Sequence, residues 1–276
     1  MRQNSPDRIQ YRHIDLGNGI DLLEAEYYKQ HFSKHSHAGY AFGVVTKGQL
    51  DFSYLQQTWQ AQPGDINLVF PGEIHDGHGN DERGWAYKML YLPANTLKEI
   101  YSQRTGKEDF PWFTAGVVQH PALGHHLLQL YMQLATEKAA PFQQASALVE
   151  WLTPFIEAYS AQPVKQQFLG HEDGPIHLCL DYLQDNYQDD ISLDDLAALT
   201  HLSPYYLLRS FKKAIGVPPH LYQQQLRISK AKELLSAGYS PARTANDLGY
   251  VDQSHFSRQF KQITGLTPGS FAACTK

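Results

Sequence analysis

Residues 203–219 read S-P-Y-Y-L-L-R-S-F-K-K-A-I-G-V-P-P, and residues 252–268 read D-Q-S-H-F-S-R-Q-F-K-Q-I-T-G-L-T-P. At a constant offset of 49 residues Arg209 meets Arg258, Phe211 meets Phe260, Lys212 meets Lys261, Gly216 meets Gly265 and Pro219 meets Pro268. Ser203 and Asp252 share one position, and both residue types are strong helix N-caps. Glycine ends each helical stretch, where a left-handed C-terminal residue is required. Each copy therefore reads as a short capped helix with a phenylalanine core and a basic outer face. Two such copies on one chain point to two helix-turn-helix reading heads.

The residues before each copy supply the rest of the motif. In the first unit, Leu193, Leu196, Ala197 and the pair Ala198-Leu199 form a short scaffold helix, which Ser192-Leu193-Asp194-Asp195 starts with acidic groups at its positive end. Thr200-His201-Leu202 is the turn, and Pro204 takes the first helical position, where a missing N–H costs nothing. Leu207, Phe211 and Ala214 then face inward, while Tyr205, Arg209 and Lys212 share the outer stripe. In the second unit Ala242, Ala245 and Leu248 form the scaffold and Gly249-Tyr250-Val251 the turn. Phe256, Phe260 and Ile263 face the core, and Gln253, Ser254, Ser257, Arg258 and Lys261 face outward. A helix over Leu221–Leu235, rich in leucine, isoleucine and alanine, joins the two and fixes their angle.

Such a helix enters the major groove with its N-terminal half against base edges. Arginine can pair bidentately with guanine and glutamine with adenine, each worth about 1–3 kcal/mol of discrimination. Arg209, Gln253 and Arg258 are thus the leading base readers. Lys212 and Lys261, one turn later, suit phosphates. Leu208 suits either a thymine methyl or a neighbouring helix.

Charge is distributed accordingly. The chain carries a net −5, yet residues 201–276 hold ten Lys and Arg against Glu233, Asp247 and Asp252, a local +7. Residues 175–200 hold six aspartates and no Lys or Arg. Local rather than total charge governs attraction to phosphates. Cys179 and Cys274 alone cannot build a disulfide framework, which fits a reducing compartment. No apolar run approaches the roughly 18–20 residues that span a membrane. The polar stretch Met1–Arg12 carries no signal-peptide core, so a cytoplasmic protein without a membrane partner is expected.

The stretch 191–271 resembles the DNA-binding domain of the AraC/XylS family of bacterial transcription regulators. The run from Ala245 to Lys261 (A-N-D-L-G-Y-V-D-Q-S-H-F-S-R-Q-F-K) follows that family's signature, and Gly265-Leu266-Thr267-Pro268 completes it. Phe271-Ala272 departs from it, since members often carry an aromatic followed by Arg, which weakens one possible phosphate contact and not the fold. The resemblance implies base contacts at Tyr205, Leu208, Arg209, Gln253, Ser254, Ser257 and Arg258. It also implies double-stranded promoter DNA and RNA polymerase as partners, usually in activation.

The N-terminal half has a different texture. Residues 1–19 read as a polar arm. Short apolar runs at Ile20–Tyr27, Tyr40–Thr46, Gln49–Leu55, Asp65–Phe70 and Trp85–Leu92, separated by glycine and proline turns, read as strands of a barrel or sandwich. Helices are expected over Asn95–Gln103, Pro121–Glu137 and Phe142–Tyr159. One apolar stripe (Leu127, Leu130, Tyr131, Leu134) and another (Leu148, Leu152, Phe155, Ile156) leave one to pack on the barrel and one as a possible homodimer seam within 121–159.

Residues 20–92 resemble the cupin-like sensor domain of sugar-responsive AraC-type regulators. His35-Ser36-His37, Pro63-Gly64-Asp65 and Pro71-Gly72-Glu73-Ile74-His75 carry the likeness. In cupin enzymes an H-x-H pair, a following Glu and a later His bind a metal, but Ala41 and Phe42 stand where that Glu belongs and Glu73 lies on another strand. The preferred reading is a pocket without metal or cofactor. There His35, His37, Tyr40, Glu73, His75, Trp85 and Tyr87 meet a small polar effector, a sugar or an amino acid. A metalloenzyme with an appended helical domain is the alternative.

The expected architecture is a two-domain, mixed chain. A cupin-like β-barrel with accessory helices occupies 1–160, a Pro- and Gly-bounded linker 161–175, and an all-α double helix-turn-helix domain 176–276.

Overall fold

The computed structural model describes residues 7–16, 19–80, 83–113, 115–136, 140–161 and 173–275. Most of the expected linker, residues 162–172, lies outside the described residues. The chain divides into two compact units, residues 1–164 and 165–276. No helix among the described residues is long and apolar enough to cross a membrane.

The first unit is sheet-rich. Its strands are β1 (Arg8–Ile14), β2 (Ile20–Tyr27), β3 (His31–His35), β4 (Tyr40–Lys47), β5 (Leu50–Tyr54), β6 (Gln57–Ala61), β7 (Ile66–Val69), β8 (His75–Gly79), β9 (Trp85–Leu92), β10 (Trp112–Phe113), β11 (Val117–Val118) and β12 (Ser160–Ala161). Three helices accompany them: α1 (Ala94–Thr105), α2 (Pro121–Leu134) and α3 (Pro141–Tyr159). A six-stranded sheet runs β1-β2-β9-β4-β7-β11 and a four-stranded sheet β3-β8-β5-β6, with β10-β12 as a small pair. The expected barrel is thus built as two antiparallel sheets rather than one closed ladder among the described residues. The expected polar arm contains β1, which pairs with β2 from Arg8↔Glu26 to Ile14↔Ile20. Its exposed Arg8, Gln10 and Arg12 suit an edge strand, where charge discourages further pairing.

The central strands are buried on both faces. Tyr40, Phe42 and Val44 of β4, with Leu90 and Leu92 of β9, join Leu127, Leu130, Leu152, Phe155 and Ile156 in one core. Each such fully buried side chain contributes about 1.5–3 kcal/mol. Both helical stripes are consumed there, so neither remains as a dimer seam. The opposite face of β9 carries Trp85, Tyr87 and Met89 in register with Tyr27, Ala25 and Leu23 of β2. It meets the second sheet through Phe32, whose ring lies 5.4 Å from Tyr27 and 6.3 Å from Trp85.

The second unit is all helical: α4 (Asp173–Asp185), α5 (Leu193–Thr200), α6 (Pro204–Ile215), α7 (Pro219–Ser236), α8 (Pro241–Asp247), α9 (Gln253–Thr264) and α10 (Pro268–Cys274). Ile176, Cys179, Leu183, Leu196, Leu207 and Phe211 form the core of the first half. In the second half Phe260 packs at 5.6 Å from Phe256 and 5.5 Å from Phe271. Between them α7 buries Ile228, Ala231 and Leu235.

Candidate DNA interface and ligand site

The two recognition helices are built alike. Ser203 Oγ accepts from the Tyr206 N–H at 3.3 Å, and Asp252 Oδ1 accepts from the His255 N–H at 2.6 Å. Each cap satisfies a donor that the first helical turn cannot. Gly216 and Gly265 end the helices at φ 84° and 78°, with their N–H groups donating to Lys212 O and Lys261 O. The scaffold helices are capped as well, by Ser192 on the Asp195 N–H and by Ser240 on the Arg243 N–H. Ser240 went unread in the sequence, although serine followed by Pro241 is a start signal.

One face of each recognition helix is buried through Leu207 and Phe211, or through Phe256, Phe260 and Ile263. The other leaves Tyr205, Arg209, Lys212, Gln253, Ser254, Arg258 and Lys261 exposed, with Leu208 and Ser257 half-buried beside them. Three other cations of this unit are engaged with the protein. Arg227 holds backbone carbonyls, Lys230 pairs with Glu233, and Arg243 pairs with Asp247 and lies over the Tyr239 ring. Among the described residues Arg209, Lys212, Arg258 and Lys261 have no ion-pair partner, so their charge points to solvent.

In the first unit the sequence-nominated residues separate. His35, His37 and His75 come together, with ring centroids 4.2 Å apart for His35–His75, 4.8 Å for His37–His75 and 4.9 Å for His35–His37. The ladder between β3 and β8 causes this, since His35 pairs directly with His75. His35 Nδ1 donates to Ser33 O at 2.7 Å and His75 Nδ1 to Glu73 O at 3.2 Å. A carbonyl only accepts, so both Nδ1 atoms carry a proton, and in the neutral form of each ring the lone pair sits on Nε2. Burial lowers the His75 pKa to about 4, so the ring is neutral at physiological pH.

Trp85 and Tyr87 stack at 4.7 Å, with Tyr27 5.4 Å from Trp85. Trp85 is 2 % exposed, and its indole N–H is buried without a hydrogen-bond partner. Gly79 makes room for that ring: a Cβ there would stand 2.3 Å from Trp85 Cδ1. Tyr27, Phe32 and Tyr91 (whose ring is 4.9 Å from His37) belong to the same lining and were missed in the sequence. The signal was available for Tyr27, which falls opposite Trp85 once the two strands pair.

Tyr40 does not join this group. It lies on the opposite face of its sheet, in the core with the helices, and its hydroxyl donates to Pro111 O at 2.9 Å. Glu73 sits half-buried in the turn between β7 and β8. Its carbonyl serves His75, and its charge adds to burial in raising the Tyr54 pKa.

Comparison with known proteins agrees with this division. Residues 17–152 match the AraC-like ligand binding domain family and residues 196–273 a helix-turn-helix domain family. The chain is 31% identical over 229 residues to the HTH-type transcriptional regulator YbfI of Bacillus subtilis, covering 82% of each. It is 25% identical over 261 residues to the arabinose operon regulatory protein of Escherichia coli, covering 92% of this chain and 88% of that one. The crystal structure of ToxT from Vibrio cholerae shares the fold at a TM-score of 0.57 with 10% identity, covering 98% of each chain. An exposed pair of capped basic helices, a sheet domain with a buried polar lining and likeness to transcriptional regulators over most of the chain lead to one assignment: the chain belongs to the AraC family of DNA-binding transcriptional regulators, with an N-terminal ligand-binding domain.

Proposed function

We propose that this regulator reads promoter DNA with both heads and is controlled by a small polar effector held between the two sheets of its N-terminal unit. Arg209, Gln253 and Arg258 read base edges, assisted by Tyr205, Leu208, Ser254 and Ser257, while Lys212 and Lys261 hold phosphates. The observation that carries this reading is the matched pair of capped, solvent-facing helix faces, each presenting an arginine and, one turn later, a lysine with no ion-pair partner among the described residues. The expected setting is the cytoplasm, with RNA polymerase as the partner in activation.

The effector site comprises His35, His37, His75, Trp85 and Tyr87, with Glu73 at its edge. The unpartnered Trp85 N–H suits an oxygen acceptor and the stacked rings suit an apolar sugar face, as a sugar or amino acid would supply. A sugar is favoured because a relative bears the name arabinose operon regulatory protein. Homodimerisation through 121–159 would use the outward residues Met132, Phe142 and Val149, since the inward stripes are spent.

Genomic footprinting of the wild type beside Arg209→Ala and Arg258→Ala tests the core of this reading. Discrete promoter peaks that weaken in both variants are expected. Diffuse occupancy indifferent to both substitutions would reduce the interaction to non-specific charge.

A further inference from the structure

We propose that His35, His37 and His75 form a three-histidine site for a divalent first-row transition metal ion of the zinc class. Their ligand atoms all lie within 4.8 Å of one another, and two of the three residues are buried. Nitrogens bound to one ion at about 2.1 Å stand about 3–3.5 Å apart, so a side-chain closure on the order of 1 Å completes the site. The backbone already supplies the approach. His35 ends β3, His37 follows two residues later, and His75 opens the neighbouring strand opposite His35.

The hydrogen bonds beyond the cluster favour an ion over simple packing. Histidines that bind a metal characteristically donate their other ring N–H to a carbonyl or carboxylate, which fixes the tautomer and aims the lone pair. His35 and His75 both do this, through Ser33 O and Glu73 O. Nearby lies an internal contrast. His31 and His78, on the same two strands, simply stack at 5.3 Å near the surface and belong to no three-residue ligand group among the described residues. A set of three imidazole nitrogens, with no thiolate or carboxylate in the group, selects zinc, cobalt, nickel, iron or copper over calcium or magnesium.

Three protein ligands also leave at least one coordination position open. An effector hydroxyl or carboxylate would occupy it, so that the ion anchors the effector; this last step rests on the effector reading above.

The test is a Co2+ titration of the untagged full-length chain after stripping with a chelator. A 1:1 complex with visible d–d absorption, displaced by Zn2+, is expected. His37→Ala should weaken it more than about 100-fold, since loss of a ligand exceeds the 10- to 100-fold typical of outer-shell changes. His31→Ala should leave it unchanged. His37 is only half-buried, so its variant stays informative if His35 or His75 variants do not fold, and thermal melts by circular dichroism verify each fold. Co2+ binding that is absent, or that is equal in wild type and His37→Ala, overturns the site. A parallel thermal-shift screen of sugars and amino acids in chelator separates the two readings. An effector that stabilises protein unable to bind Co2+ would overturn the metal and keep the effector pocket. A Co2+ complex without any stabilising effector would do the reverse.

Discussion

Arg227 Nη1 donates to the carbonyl of Gly249 at 3.3 Å, while Nε and Nη2 of the same guanidinium donate to Tyr187 O at 2.6 Å and Asp189 O at 2.9 Å. One side chain on α7 thereby ties the segment after α4, in the first head, to the turn of the second. Gln223 reinforces it by donating to the same Tyr187 and Asp189 carbonyls. At Gly249 the backbone has φ 72°, and a Cβ would stand 1.9 Å from Gln188 O, so the close approach requires glycine.

Arg227→Ala should therefore act on the spacing of the heads. Hydrogen bonds to a charged group are worth about 1.5–3 kcal/mol, so the domain should lose on the order of 2 kcal/mol of stability. Binding to a full operator should weaken, while binding to an isolated half-site by either head stays near wild type. Arg227→Lys should not rescue it, because an ammonium cannot span three carbonyls held by a planar fork. Gel-shift titrations on full and half operators check this, and equal losses on both would count against a spacing role.

The recognition-face residues predict two different losses. Arg209→Ala and Arg258→Ala should each cost about 1–3 kcal/mol, roughly 5- to 150-fold, and relax preference at one or two base positions. Lys212→Ala and Lys261→Ala should weaken all sequences alike and lower the salt slope by about one counterion each. Binding to randomised operators at two salt concentrations separates the classes.

Acid should loosen the N-terminal unit through His75. Its folded pKa is lowered from 6.5 to about 4, with burial as the leading cause. The unfolded chain thus takes the proton more readily than the folded one. The contribution is complete above pH 6.5 and drains away as pH falls toward 4. About 2 kcal/mol should be gone by pH 5 in chelator-treated protein. Urea unfolding at pH 7.5 and pH 5 measures this, and His75→Gln should flatten the difference.

The reading heads were legible because their information is local. A cap, a 3.6-residue apolar stripe and a terminal glycine each leave a side-chain signature, and the repeat states it twice. The Arg227 clamp was not, because its targets are backbone carbonyls up to 40 residues away in sequence, which no residue type announces. In the sheet domain β4 is buried on both faces from Tyr40 to Val45, so the alternation that would assign Tyr40 to a face is erased. The H-x-H pair was visible, but its union with His75 depends on strand register. The charged edge strand β1 looked like an arm because edge strands are kept polar.

Tyr40 and Trp85, both nominated from sequence for the effector, should now part company. Tyr40→Phe removes a buried donor and strands the Pro111 carbonyl, costing about 1–2 kcal/mol of stability. It should leave effector affinity unchanged, because the hydroxyl faces the helices. Trp85→Phe removes an indole N–H that has no partner in the protein, so no internal hydrogen bond is lost. Its cost in stability is confined to the smaller ring, while effector affinity should fall by about 1–3 kcal/mol if that N–H holds the ligand. Calorimetric titration beside thermal melts of both variants decides the point: an affinity loss in Tyr40→Phe, or none in Trp85→Phe, would move the effector site to the other face of the sheet.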